Sequence, residues 1–240
     1  VRDLITATTI LPAERREITL QTSDGLTLVG ELSLPLTGTA AATAVFFHPL
    51  PTAGGFMDSH VIRKAAWRLP ALAQVAVLRF NFRGVSSPRG TSEGRFGHGD
   101  DERFDLEAAL AFVRGEGLPN PWLIGWSFGT EVILKHASDY VSEIAGVILL
   151  SPPLHRTTDE ELSRWANVSI PVVALVPEFD DYLKPSEAME RFSLAPAVEI
   201  VPGWGAKHLW VGEKYTYFVL NEITKQLNPA ASPLSERWTA

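Results

Sequence analysis

The sequence predicts an α/β fold, a mostly parallel sheet of about eight strands flanked by helices. Two observations carry this. Apolar runs of strand length alternate with amphipathic stretches of helix length from "TAVFFH" to the C-terminal end, and strands separated by helices at such spacing form parallel β-α-β units with right-handed crossovers. Ahead of them, "REITLQT" and "LTLVGELSL" alternate apolar and polar residues around Asp24-Gly25, the pattern of an antiparallel hairpin. A hydrophobic content of 45% with 20% charged residues in 240 residues suits a sizeable core. With no repeat, low-complexity segment or linker, residues 1–240 are expected to form a single domain.

The elements follow in order. "TAVFFH" is a strand, and "SHVIRKAAWRLPALA" is amphipathic and helical up to Pro70. "VAVLRFNF" is an apolar strand running into the loop "RGVSSPRGTSEGRFGHG". "ERFDLEAALAFVR" sets Phe104, Leu106, Leu110 and Val113 on one helical face, with acids in its first turn where the helix dipole favours them. Next come the strand "WLIGW", the helix "GTEVILKHASDYV" and the strand "GVILLS". The polar "HRTTDEELSRWANVS" leads to the strand "PVVALV", the short Pro-led helix "PSEAMERF", the strand "AVEIVP" and the long helix "KYTYFVLNEITKQL".

The charge balance is −7 with both signs mixed along the chain, unlike the basic stripes of a nucleic-acid surface. No run approaches the roughly 18 apolar residues of a membrane span. The opening "VRDLITATTILPAERRE" has neither the basic region nor the apolar stretch of a signal peptide, although a chain that does not begin with Met leaves a removed segment open. Cysteine is absent, which removes disulfides, thiolate metal sites and a Cys nucleophile and fits a cytoplasmic protein.

In such sheets ligands bind beyond the carboxyl ends of the strands, so the residues just after each strand matter most. "GWSFG" places Ser127 between an apolar strand and a helix start, the context that gives G-x-S-x-G its meaning. A serine hydroxyl is a weak nucleophile until a base takes its proton. A sharp turn there exposes Oγ and sets the Phe128 N–H beside the reacting carbon. "PEFDDYLKP" follows the strand "PVVALV" and offers Glu178, Asp180 and Asp181 to orient a histidine. "GWGAKHLW" follows the last strand and carries His208 in a glycine-bearing loop. Ser127, Asp180 and His208 stand in the Ser…Asp/Glu…His order of the α/β hydrolases.

With these motifs the chain resembles the α/β-hydrolase superfamily, and within it the small, lidless hydrolases near the dienelactone hydrolase group. The similar segments are "FFHPLPTAGGFMDSHVI", "VAVLRFNFRGVSS", "FDLEAALAFVR", "LIGWSFGTEV", "PEFDDYL" and "GAKHLWVGE", running from about residue 43 to residue 213. The resemblance implies Ser127 as nucleophile, His208 as general base and acid, and Asp180 as the residue that orients it. Relatives often place a proline four residues after the acid. Pro185 stands four after Asp181, so Asp181 stays open as the alternative. Dienelactone hydrolases proper use a cysteine, absent here, so their substrate does not carry over. Close relatives often have a second histidine where this chain has Leu50, so no imidazole role transfers there.

An oxyanion formed at Ser127 needs two N–H donors. Phe128 supplies one, and the loop after the third strand, "HPLPTAGG", is expected to supply the other. Pro49 and Pro51 cannot donate, and the resemblance also points to the second residue after the loop histidine, which is Leu50. His48 and Arg83 are expected to brace their loops. Asp100 or Asp101 of "GHGDDERFD" is expected to cap the next helix, and no metal or other cofactor is expected. Only 15 residues separate "SPPL" from "IPVVALV", the length of a loop rather than a cap. Phe56, Met57, Trp126, Trp204 and Trp210 are candidates to line an apolar acyl pocket open to short, uncharged esters. The expected activity is hydrolysis of small carboxylic esters through an acyl-serine. The rivals are a thioesterase or small-amide hydrolase with the same triad and a non-catalytic binding protein on the same fold. The expected partner is a small-molecule ester rather than nucleic acid or membrane, and oligomeric state stays open.

Overall fold

The computed structural model describes residues 3–238. The predicted hairpin is present as β1 (Glu14–Gln21) and β2 (Thr27–Leu34), antiparallel from Glu14↔Leu34 to Gln21↔Thr27. Gly25 turns it at φ 89°, where a side chain would be strained. Six parallel strands follow: β3 (Ala42–Phe47), β4 (Val75–Phe80), β5 (Pro121–Trp126), β6 (Gly146–Leu150), β7 (Val172–Phe179) and β8 (Val198–Lys207). The spatial order is β8-β7-β6-β5-β3-β4-β2-β1, with β2 antiparallel to β4. A two-residue pair joins Asp3–Leu4 to Arg237–Trp238, and another joins Ser86–Ser87 to Gly90–Thr91.

Because the parallel strands are covered on both faces, their side chains divide between two cores. Val45, Phe47, Leu78, Leu123 and Val147 face α2 (Glu102–Gly115) and α3 (Phe128–His136). Ala44, Phe46, Val77, Ile124 and Trp126 face α1 (His60–Ala73) and α6 (Glu213–Leu227). The chain leaves β3 through α1 toward β4 and returns through α2 to β5 on the other side of β3. The strand order therefore reverses between β3 and β5, where Phe47 lies opposite Gly125. The loops after these two strands sit side by side at that switch point.

Three local expectations need correction. α1 does not stop at Pro70 but continues to Ala73. The proline removes the N–H that would bond the Ala66 carbonyl, and Arg15 Nη2 donates to that carbonyl instead at 3.3 Å. In α2, Leu106, Leu110 and Val113 are buried as expected, but Phe104 is only half-buried and the first-turn acids Glu102 and Asp105 are themselves buried. Asp105 accepts from the Arg83 backbone and guanidinium at 2.9 Å each, and Arg83 also pairs with Asp24. Arg83 thus braces the loop after β4. Asp101 occupies the N-cap position without a side-chain cap bond, and Asp100 pairs with Lys135. Glu102 does the tying, accepting the Gly97 and Gly99 N–H groups at 2.8 and 2.7 Å.

Between β6 and β7 there is no large cap. The segment holds α4 (Asp159–Ser163), started by a capping box in which Thr158 accepts from Glu161 N and Glu161 accepts from Thr158 N. α5 (Pro185–Arg191) starts with its proline at the first turn. Among the described residues no helix is long and apolar enough to cross a membrane.

Candidate active site

β5 delivers Ser127 into a backbone conformation that a side chain rarely adopts, φ 52° and ψ −114°. The turn is pinned from both sides: Ser127 N–H bonds the carbonyl of Leu150 at the end of β6 at 2.8 Å, and Thr130 N–H bonds the Ser127 carbonyl at 2.9 Å. The flanking glycines are sterically required. A Cβ on Gly129 would lie 2.0 Å from the Phe47 carbonyl oxygen, and one on Gly125 would lie 2.6 Å from Gly129 and Thr130 backbone atoms. Strain of this kind persists only where surrounding contacts over-determine it. Here it sets the serine at the N-terminus of α3.

His208 directly follows β8, and its Nε2 lies 2.9 Å from Ser127 Oγ. Its Nδ1 lies 2.9 Å from Asp180 Oδ2 and 3.1 Å from Oδ1. His208 and Asp180 are both buried, whereas Asp181 is exposed and makes no bond to His208. The bend after β7 explains the difference between the adjacent acids. Asp180 Oδ1 accepts the Tyr182 N–H at 2.8 Å, turning its carboxylate inward and the next side chain outward. The His208 carbonyl is fixed by Ser151 Oγ at 2.9 Å and by the Trp126 indole at 3.3 Å. His60 Nε2 donates to the adjacent Leu209 carbonyl at 2.7 Å, and Tyr182 packs edge-on against the His208 ring at 4.6 Å.

The family model of the alpha/beta hydrolases matches residues 44–240. The chain belongs to the α/β hydrolase family. Among solved structures, it is similar to a lidless α/β serine hydrolase from Xanthomonas campestris at 28% identity, covering 94% of this chain and 99% of that one with a TM-score of 0.73. It is also similar to an α/β serine hydrolase homologue from Coxiella burnetii at 26% identity, covering 90% and 96% with a TM-score of 0.71. An esterase from Pyrococcus furiosus shares the fold at 19% identity, covering 90% and 94% with a TM-score of 0.71. No curated protein matches the chain.

The loop after β3 in this α/β hydrolase is as stiff as its prolines suggest. Leu50 precedes a single 3-10 turn, Pro51–Ala53, and its carbonyl accepts the Ala53 and Gly55 N–H groups at 3.0 and 2.9 Å. His48 beneath it is fully buried; Nε2 accepts the Phe82 N–H at 3.0 Å, so Nδ1 carries the proton and donates to the Pro49 carbonyl at 2.7 Å. Burial pushes the His48 pKa down to about 4. Among the described residues no protein acceptor takes the N–H of Leu50 or of Phe128.

Leu50, Phe128, Ser127 and His208 share one cleft of about 330 Å³, walled by His155 and Arg156 on one side. A second cavity of about 330 Å³, against α1 and α6, touches none of these residues. The five expected pocket residues lie elsewhere. Trp126, Met57 and Trp210 are fully buried, because strand alternation turns Trp126 to the α1/α6 face and Trp210 packs there on Phe218. Phe56 lines a separate depression with Arg83 and Phe96. Trp204 is 68% exposed. Sequence reasoning missed His155, Arg156 and Tyr182 as wall residues. The one available signal was their position just after strands β6 and β7.

Proposed function

We propose that this α/β hydrolase cleaves small carboxylic esters through an acyl-serine intermediate, with Ser127 as nucleophile, His208 as general base and acid, and Asp180 as its orienting partner. The observation that carries the reading is the unbroken chain Ser127 Oγ–His208 Nε2 and His208 Nδ1–Asp180, with both links at 2.9 Å. With Nδ1–H donated to Asp180, Nε2 is left to take the serine proton as Oγ bonds to the ester carbonyl carbon. The carboxylate then stabilises the imidazolium that forms. The carbonyl oxygen becomes an oxyanion, and the unused N–H groups of Leu50 and Phe128 are the donors suited to it. Each such donor typically contributes on the order of 100- to 1000-fold in rate. As the tetrahedral centre collapses, the leaving alkoxide takes the proton back from Nε2. Water then cleaves the acyl-serine by the same proton route. The absence of cysteine favours a cytoplasmic setting.

Purified protein should hydrolyse 4-nitrophenyl butyrate, and Ser127→Ala should abolish that turnover. Activity surviving in Ser127→Ala would overturn the assignment. A panel of acyl-thioesters and small amides at matched acyl length separates esterase from the related hydrolases.

A further inference from the structure

The segment after β6 is more tightly held than an ordinary loop. Ser151 and Leu154 both have positive φ, 50° and 54°, with Pro152 and Pro153 between them. The backbone is locked at both ends. Ser151 is buried and donates its N–H to the Leu175 carbonyl and its hydroxyl to the His208 carbonyl, each at 2.9 Å. At the other end Glu131, buried on α3 four residues after Ser127, accepts the His155 N–H at 2.5 Å. Strain held this way in a wall of the cleft marks a surface built to present particular side chains.

Those side chains are His155 and Arg156. Arg156 is half-buried, with its guanidinium carbon 5.6 Å from the centroid of the Phe128 ring. Among the described residues no ion pair or hydrogen bond engages that guanidinium directly; its charge acts at longer range on buried Glu131, opposing the rise in that carboxyl's pKa that burial causes, and leaves the forked N–H donors unused. The more deeply buried arginines are all paired: Arg79 with Glu31 and Asp58, Arg83 with Asp24 and Asp105, and Arg68 with Glu213. Asp181, the other fixed charge on the cleft lining, makes no ion pair with Arg156. An aromatic face shields one side of the guanidinium while its forked donors stay available for a planar anion.

We infer that Arg156 selects, within the ester-hydrolase reading above, substrates whose acyl group ends in a carboxylate, that is, monoesters of short dicarboxylic acids. The cleft of about 330 Å³ has room for a short acyl chain between Ser127 and Arg156. This replaces the apolar, uncharged acyl pocket expected from the sequence, whose aromatic candidates lie elsewhere.

The test compares monoethyl succinate with ethyl butyrate, following acid release at constant pH, and reads the ratio of kcat/KM for the two esters. Wild type should favour monoethyl succinate. In Arg156→Gln the ratio should fall about 10- to 100-fold, chiefly through KM for the anionic ester, as expected for losing a charged hydrogen-bond donor. Arg156→Lys, which keeps the charge without the fork, should fall between them. A second arm needs no variant: succinate should inhibit ethyl butyrate hydrolysis by wild type competitively and more tightly than neutral succinamide. A ratio unchanged in Arg156→Gln, or equal inhibition by the two compounds, overturns the inference. Turnover of neither ester, together with no turnover of 4-nitrophenyl butyrate, overturns the ester-hydrolase reading itself, and this inference with it.

Discussion

Replacing Asp180 by asparagine exchanges one carboxylate oxygen for NH2 at nearly constant volume. The surroundings decide which way the new amide points. Oδ1 accepts the Tyr182 N–H at 2.8 Å, so the amide oxygen must occupy that position. The NH2 then falls at the Oδ2 position, 2.9 Å from His208 Nδ1. The NH2 opposes the Nδ1 proton at the shorter contact and leaves it only the longer 3.1 Å approach to the amide oxygen, which the Tyr182 N–H already occupies, so the balance shifts to the tautomer in which Nδ1 accepts from the NH2 and the proton sits on Nε2. In that tautomer Nε2 cannot take the proton of Ser127, although the heavy-atom geometry is unchanged. A tautomer error of this kind lowers kcat by about 10⁴-fold in hydrolases of this constellation. The assay is kcat for 4-nitrophenyl butyrate, with thermal unfolding as a control for folding. Asp181→Asn should cost at least about 100-fold less, since that carboxylate is exposed and does not touch His208. A larger loss in Asp181→Asn, or a loss below about 10-fold in Asp180→Asn, would refute the reasoning.

Three further outcomes follow from the supporting contacts. His48 has its pKa lowered to about 4; between that value and 6.5 the unfolded chain binds a proton that the native chain refuses. Stability should therefore be lost as pH falls through this window, by about 3 kcal/mol, and His48→Gln should flatten the decline in urea midpoints. Gly129→Ala forces a Cβ to within 2.0 Å of the Phe47 carbonyl oxygen. It should cost about 3 kcal/mol or more in urea unfolding and disable the serine turn, whereas retained stability with retained turnover would contradict the packing argument. Ser151→Ala removes one of the two donors to the His208 carbonyl. It should cost about 1–2 kcal/mol of stability and lower kcat by less than about 10-fold, with KM nearly constant.

The strand ends were the most legible part of this chain. Largely apolar runs, interrupted by Arg79 in β4 and Glu199 in β8, identified β3 to β8, and the types and order of residues just after β5, β7 and β8 pointed to Ser127, Asp180 and His208. The choice between Asp180 and Asp181 was not legible. It depends on which of two adjacent acids a bend turns inward, and that bend is held by a hydrogen bond to a backbone N–H rather than by a side-chain pattern. Buried carboxylates escaped for a similar reason. Glu102 and Asp105 read only as first-turn acids suited to the helix dipole, because periodicity does not reveal that loop N–H groups and Arg83 wait on the inner face. The continuation of α1 past Pro70 depends on Arg15, far away in sequence. The tryptophans were misplaced because large aromatic residues serve a core and a pocket equally well, and strand alternation sent Trp126 to the core. Arg156 lies in a polar segment with no period at all, so only the folded chain brings it beside Phe128.

The central claim is that Ser127 forms a covalent acyl intermediate activated by His208. Mass spectrometry of the intact protein after reaction with a fluorophosphonate probe tests it most directly. A single adduct per chain, mapped to the peptide containing Ser127 and absent from Ser127→Ala, is the result predicted. No adduct on wild-type protein, or an adduct that persists in Ser127→Ala, would contradict it.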